Sequence, residues 1–304
     1  MSWILFSILP PFLWALTSYI DKYLIEKHFK KSHGAPFMLL IVSTGLIFLP
    51  FIYFFSNANF SLSTVHILII LGSSLLSVFS WILYARALSG DNVSVVVPLF
   101  QLMPLFSYIL GLIFLDEHLG AVQIVGSLII IFGSILISLD LSEKKMRLKR
   151  GVIIPMIATT ILSSINVLII KYLMIENSFW SINFWNYLFF GLIGVTLIIT
   201  VKSWRKETAT ALKSNFIGVG GVSFANEIFD FGATMLYRYA MLLAPMALVS
   251  VLSNGFQPVF ALILGVFLSL VLPKFTHEKF SKVELIQRTI AILIIFAGTF
   301  LINR

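Results

Sequence analysis

Residues 226–237 carry the densest group of polar and ionisable side chains within an otherwise apolar stretch. Asn226, Glu227 and Asp230 are followed by Thr234 and Tyr237. Positions 227, 230, 234 and 237 advance by three or four, which aligns them on one face of a helix. Two carboxylates on one face can share a proton or bind a cationic group, since each adds negative charge to the other's surroundings. At an offset of 153 the chain repeats this stripe in neutral form, as Ser74, Ser77, Trp81 and Tyr84. Two polar stripes facing one another would line a central chamber. A plainer reading makes the carboxylates part of an ion pair that holds helices together. Arg238 lies about 12 Å beyond Asp230 on the same helix at ~1.5 Å per residue, too far along to pair with the acids at their depth. Proton or cation binding by Glu227 and Asp230 is therefore the expectation.

Other polar residues fall where helices would be weakened. Gln101 lies between Pro98 and Pro104, and Asn254 and Gln257 stand just before Pro258. Proline lacks an N–H and frees a carbonyl one turn earlier, which can line a cavity or allow bending. Amides at such points also bond between helices. Trp14 and Ser18, with Asn186, are candidates to complete the pocket, whereas Trp3, Trp180, Trp185 and Trp204 read as interfacial anchors. The five histidines, His28, His33, His66, His118 and His277, fall in loops or near the ends of apolar runs. No H-E-x-x-H, G-x-S-x-G or P-loop pattern occurs, so an enzyme is not expected. With no cysteine in the chain, thiolate metal sites and disulfides are impossible. No metal or cofactor is expected.

These residues must be positioned inside a bilayer. Of 304 residues 59% are hydrophobic and only 11% charged, against about a quarter in a soluble domain. Ten apolar stretches approach the roughly 20 residues that a spanning helix needs. They run over Ile4–Ile20, Pro36–Phe55, Val65–Leu88, Val93–Phe114, Ala121–Leu139, Val152–Ile175, Trp180–Val201, Phe216–Leu242, Met246–Leu270 and Val283–Asn303. Eighteen of the 21 Lys and Arg fall in connections on one side; Lys171, Arg238 and Arg304 are the exceptions. Cytoplasmic loops retain basic residues, so this side is expected inside and both termini outside. The net charge of +8 thus needs no nucleic acid to explain it.

The chain also repeats itself. Lys22-Tyr23-Leu24-Ile25 corresponds to Lys171-Tyr172-Leu173-Met174, and Leu83-Tyr84 with Ala87 to Leu236-Tyr237 with Ala240. Pro104, Phe106 and Ile109-Leu110-Gly111 correspond to Pro258, Phe260 and Ile263-Leu264-Gly265, and Glu117 to Glu278. Five spans per half is an odd number, so the halves must insert in opposite senses, the usual architecture of secondary transporters.

Ten spans as five plus five, with these proline and Ile-Leu-Gly runs, resemble the EamA-type transporters of the drug/metabolite transporter superfamily. The resemblance implies an all-α integral membrane protein, with two inverted five-helix repeats around a central cavity and the fifth and tenth spans peripheral. The repeats would be residues 1–140 and 151–304, joined by a basic linker at 141–150. It implies alternating-access transport of a small metabolite without ATP hydrolysis, in a bacterial cytoplasmic membrane. Many family members keep both termini in the cytoplasm; the charge count here places them outside. The candidate site comprises Glu227, Asp230, Asn226, Ser74, Ser77, Trp81, Tyr84, Tyr237, Gln101, Asn254, Gln257 and Trp14. Expected partners are the bilayer, a cationic or amine-bearing substrate and protons as coupling ion. A lipid or lipid-linked-sugar flippase of the same fold is the alternative.

Overall fold

The computed structural model describes residues 2–56, 60–90, 96–138, 150–271 and 282–302. All regular structure among them is helical. This follows from the sequence, because in hydrocarbon a backbone must satisfy its own N–H and C=O groups. In chain order the helices are α1 (Ser2–His28), α2 (Ala35–Thr44), α3 (Leu49–Phe55), α4 (Thr64–Gly90), α5 (Met103–Phe114) and α6 (Ala121–Ser138). There follow α7 (Arg150–Glu176), α8 (Phe179–Thr200), α9 (Lys202–Ser214), α10 (Val222–Leu243), α11 (Met246–Val271) and α12 (Lys282–Ile302). Short 3₁₀ turns join α2 to α3 at Gly45–Phe48 and precede α5 at Val97–Leu102, and a π turn at Phe216–Gly221 precedes α10.

Six segments are long and apolar enough to cross a membrane: Trp3–His28, Ala35–Phe55, Thr64–Gly90, Arg150–Glu176, Phe179–Thr200 and Met246–Ser269. Leu99–Phe114, Ala121–Leu136 and Ile286–Ile302 are shorter apolar helices. Helix α10 is long enough, but it carries Glu227, Asp230 and Arg238. Large apolar side chains stand open along single faces, such as Val125, Leu128, Phe132 and Ile135 on α6 and Ile286, Ile290, Leu293 and Phe296 on α12. Such stripes would be a liability in water and are the ordinary boundary with lipid.

Two sequence expectations are corrected here. Helix α1 continues past Ile20 to His28. The apolar period persists through fully buried Leu24 and Ile25, and Lys22 pairs with Glu26 one turn on at 3.0 Å. Residues 202–214, read as a loop because of their charge, form helix α9, which buries Thr208 and Ala211. Residues 141–149 of the basic linker, Glu278 and the start of the fourth span at Val93 lie outside the described residues, while Arg150 already opens α7.

Helix α1 packs on α10 and α11, α4 on α7 and α8, α2 on α8, α5 on α7 and α11, and α6 on α12. Lipid offers no hydrophobic drive for association, so close packing and hydrogen bonds must hold the helices. A Cβ on Gly126 would fall 2.9 Å from the carbonyl oxygen of Gly298, and one on Gly298 2.7 Å from that of Gly126. Helices α6 and α12 can approach this closely here because neither residue carries a Cβ. Prolines add cross-links. Pro258 in α11 cannot bond to the Asn254 carbonyl, and the Gln101 side-chain amide donates to it instead. Pro11 likewise frees the Ser7 carbonyl, which accepts from Ser253 Oγ at 2.8 Å. Beyond α5, buried Lys171 donates to Glu117 and, at 2.8 Å, to the Ala244 carbonyl, while Glu117 Oε2 accepts from the Met246 N–H at 2.8 Å.

Candidate functional site

A cavity of about 230 Å³ opens between α1, α2, α4, α7, α8, α10 and α11. Helix α10 presents Glu227, Asp230, Thr234 and Tyr237 to it, as their spacing requires. Asn226 and Arg238 flank the stripe and also line the cavity. From α4 come Ser77, Trp81 and Tyr84, from α1 Trp14 and from α11 Asn254 and Gln257. Ten of the twelve candidate residues thus meet in one chamber.

Ser74 and Gln101 do not line it. Ser74 is fully buried, donates to the Ile70 carbonyl at 2.8 Å and accepts from Asn186 Nδ2 at 2.9 Å. Gln101 is spent on the Asn254 carbonyl. Both residues brace the helices around the chamber.

The acids differ in their surroundings. Asp230 Oδ1 accepts from the Trp14 indole N–H at 3.1 Å. The Trp14 ring meets Tyr237 edge-on, with centroids 5.1 Å apart. Glu227 is 4% exposed, and among the described residues its Oε2 has no hydrogen-bond partner. A buried acceptor without a donor is costly, so this atom is a place where a proton or a ligand donor would be held.

Sequence reasoning missed two charged groups. Asp21 is 7% exposed and lines the cavity, accepting from Asn226 Nδ2 at 2.7 Å through Oδ1. It was hidden because the first span was cut at Ile20. Arg238, expected too far along the helix to pair with the acids, is 7% exposed and lines the same chamber. Its guanidinium donates to Asn183 Oδ1 and, at 2.7 Å, to Asn186 Oδ1. Asn186 passes the chain on to Ser74, so α10, α8 and α4 are bound through one buried charge and neutral amides. The signal was present in the sequence as two asparagines three residues apart in an apolar span.

Three carboxylates and one guanidinium therefore share a chamber walled by aromatic rings. With all four ionised, negative charge exceeds positive by two. Such an excess in a region of low dielectric favours a bound cation or proton, and tryptophan and tyrosine faces add cation–π attraction.

Residues 1–139 match the EamA-like transporter family. The match spans 139 of the 304 residues and is consistent with the drug/metabolite transporter superfamily; with the apolar helices it supports an integral membrane protein. One solved crystal structure, 15% identical, covers 97% of this chain and 95% of its own, with a TM-score of 0.56. At that identity the likeness concerns the fold alone. No curated protein matches. The EamA-matched region supplies Trp14, Asp21, Ser77, Trp81 and Tyr84 to the chamber, while Glu227, Asp230 and Arg238 come from beyond it.

Proposed function

We propose that this chain is a secondary transporter that moves a small cationic or amine-bearing metabolite by alternating access, coupled to protons through Glu227 and Asp230. The observation that carries this reading is the buried Oε2 of Glu227, without a hydrogen-bond partner among the described residues, in a chamber that holds two further carboxylates. A proton and an amine compete for such a group. Binding one disfavours the other, which is the coupling that an exchanger needs.

The architecture we infer is ten spans in two inverted repeats, with the basic end in the cytoplasm of a bacterial inner membrane. Packing supports the repeat. Helix α1 lies on α10 and α11 as α7 lies on α4 and α5, and α2–α8 and α6–α12 each join corresponding spans. Lys22 Nζ donates to the Leu88 carbonyl and Lys171 Nζ to the Ala244 carbonyl, both at 2.8 Å. Equivalent lysines thus reach the ends of equivalent helices.

The test begins with a thermal-shift screen of amines and amino compounds on purified protein. Hits are then offered to proteoliposomes enclosing a pH-sensitive dye. Substrate addition is expected to move protons in the opposite direction, and Glu227→Gln and Asp230→Asn are expected to abolish that signal while inserting normally. Full transport by both variants would overturn the reading.

A further inference from the structure

We propose that helix α9 is a binding site for anionic lipid headgroups, and that the lipid steadies the base of α10. This inference depends on the membrane placement of the chain and not on proton coupling.

Depth is fixed by what surrounds the helix. Ile199, just before it, is 55% exposed, and Phe216 and Ile217, just after it, are 72% and 81% exposed. Side chains so large and so open belong in hydrocarbon, so the helix between them lies at its edge. At ~100° per residue, Lys202, Arg205, Lys206 and Lys213 fall within an arc of about 100°. All four are exposed. Thr208 and Ala211 lie on the opposite side and are buried. Trp204, on that same side, packs on the cluster of Leu39, Val42, Val78 and Phe190. The helix is thereby pinned along one face while its basic face looks outward.

Charge complementarity selects the occupant. A row of basic side chains at the hydrocarbon boundary matches the phosphate of an anionic lipid. Exposed Lys27, Lys30 and Lys31 extend the positive surface, and their loop is tied to α9 where the Ser32 N–H meets Glu207 Oε1 at 3.4 Å. The corresponding connection in the first half, residues 56–63, contains neither lysine nor arginine. The basic helix therefore belongs to one end of the bundle alone.

The link to α10 is short. Asn215 follows α9 directly, and its Oδ1 accepts from the Gly218 N–H at 2.8 Å in the π turn. That turn, Phe216–Gly221, contains Gly218, Gly220 and Gly221 and leads straight into the helix of Glu227 and Asp230. Glycines and π geometry make it the most deformable point of the span.

Purified protein would be titrated with phosphatidylglycerol or phosphatidylcholine and the bound lipid counted by native mass spectrometry. The wild type is expected to hold phosphatidylglycerol preferentially. Substituting Lys202→Gln, Lys206→Gln and Lys213→Gln together should weaken that binding about tenfold or more. Hydrogen exchange across Phe216–Gly221 should slow in phosphatidylglycerol nanodiscs relative to phosphatidylcholine ones, and this difference should vanish in the triple variant. Should the triple variant not fold, each single Lys→Gln change would be read the same way. Equal retention of both lipids, undiminished binding by the variants or exchange indifferent to lipid charge would each overturn the proposal.

Discussion

Helices α4 and α10 carry the same stripe at an offset of 153, yet one is neutral and the other acidic. Ser77, Trp81 and Tyr84 face the chamber just as Asp230, Thr234 and Tyr237 do. The top of the stripe diverges. Ser74 turns to Asn186 and becomes structural, while its counterpart Glu227 remains in the chamber with one acceptor unmet among the described residues. Helix α4 is α-helical along its length, whereas the span of α10 begins in a glycine-rich π turn. On the proposed reading the matched positions divide the labour: one stripe supplies an aromatic wall, the other charge and a glycine-rich base. An intramembrane carboxylate is expensive, which is why the acidic stripe carries the proposed coupling.

Several substitutions break or sharpen this contrast. The largest effect is expected from Glu227→Gln or Asp230→Asn, each lowering transport by about tenfold or more; Ser77→Ala should cost less than about threefold. Next comes Arg238→Met, which strips Asn183 and Asn186 of a charged donor inside the bundle. A loss of about 2–3 kcal/mol is expected, read as a fall in unfolding temperature, with Arg238→Lys intermediate because an ammonium cannot make the fork. Moving the acid across the chamber, as Ser77→Asp in an Asp230→Asn background, should recover about threefold of the lost transport, since the two positions face the same space. The smallest change is Ser74→Ala, which removes one acceptor from Asn186. It should cost about 1 kcal/mol of stability and leave transport unchanged.

Much of this was readable before any coordinates. Apolar run length located the helices, and the 3–4 spacing of Glu227, Asp230, Thr234 and Tyr237 put them on one cavity face. What escaped detection followed from treating charge as a mark of the water phase. Asp21 fell just outside the first span as it was cut at Ile20, although Leu24 and Ile25 beyond it keep the helix going in the core. Arg238 was judged by helix rise, which ignores the reach of its side chain and the amides waiting on α8. Helix α9 was passed over for its lysines, while its buried Thr208 and Ala211 carried the helical period. Gln101 was rightly tied to proline, but the proline that matters is Pro258 on another helix, whose freed carbonyl cannot be paired from sequence alone.

The most direct measurement concerns whether the acidic face of α10 meets water inside the protein. The chain has no cysteine, so single replacements report without background. Asp230→Cys and Ser77→Cys are expected to react with a charged, membrane-impermeant thiol reagent in sealed vesicles, while Ile228→Cys, on the open outer face, should stay unmodified in lipid. Labelling at 228 with none at 77 and 230 would mean that the stripe faces the bilayer and that the chamber does not carry the chemistry.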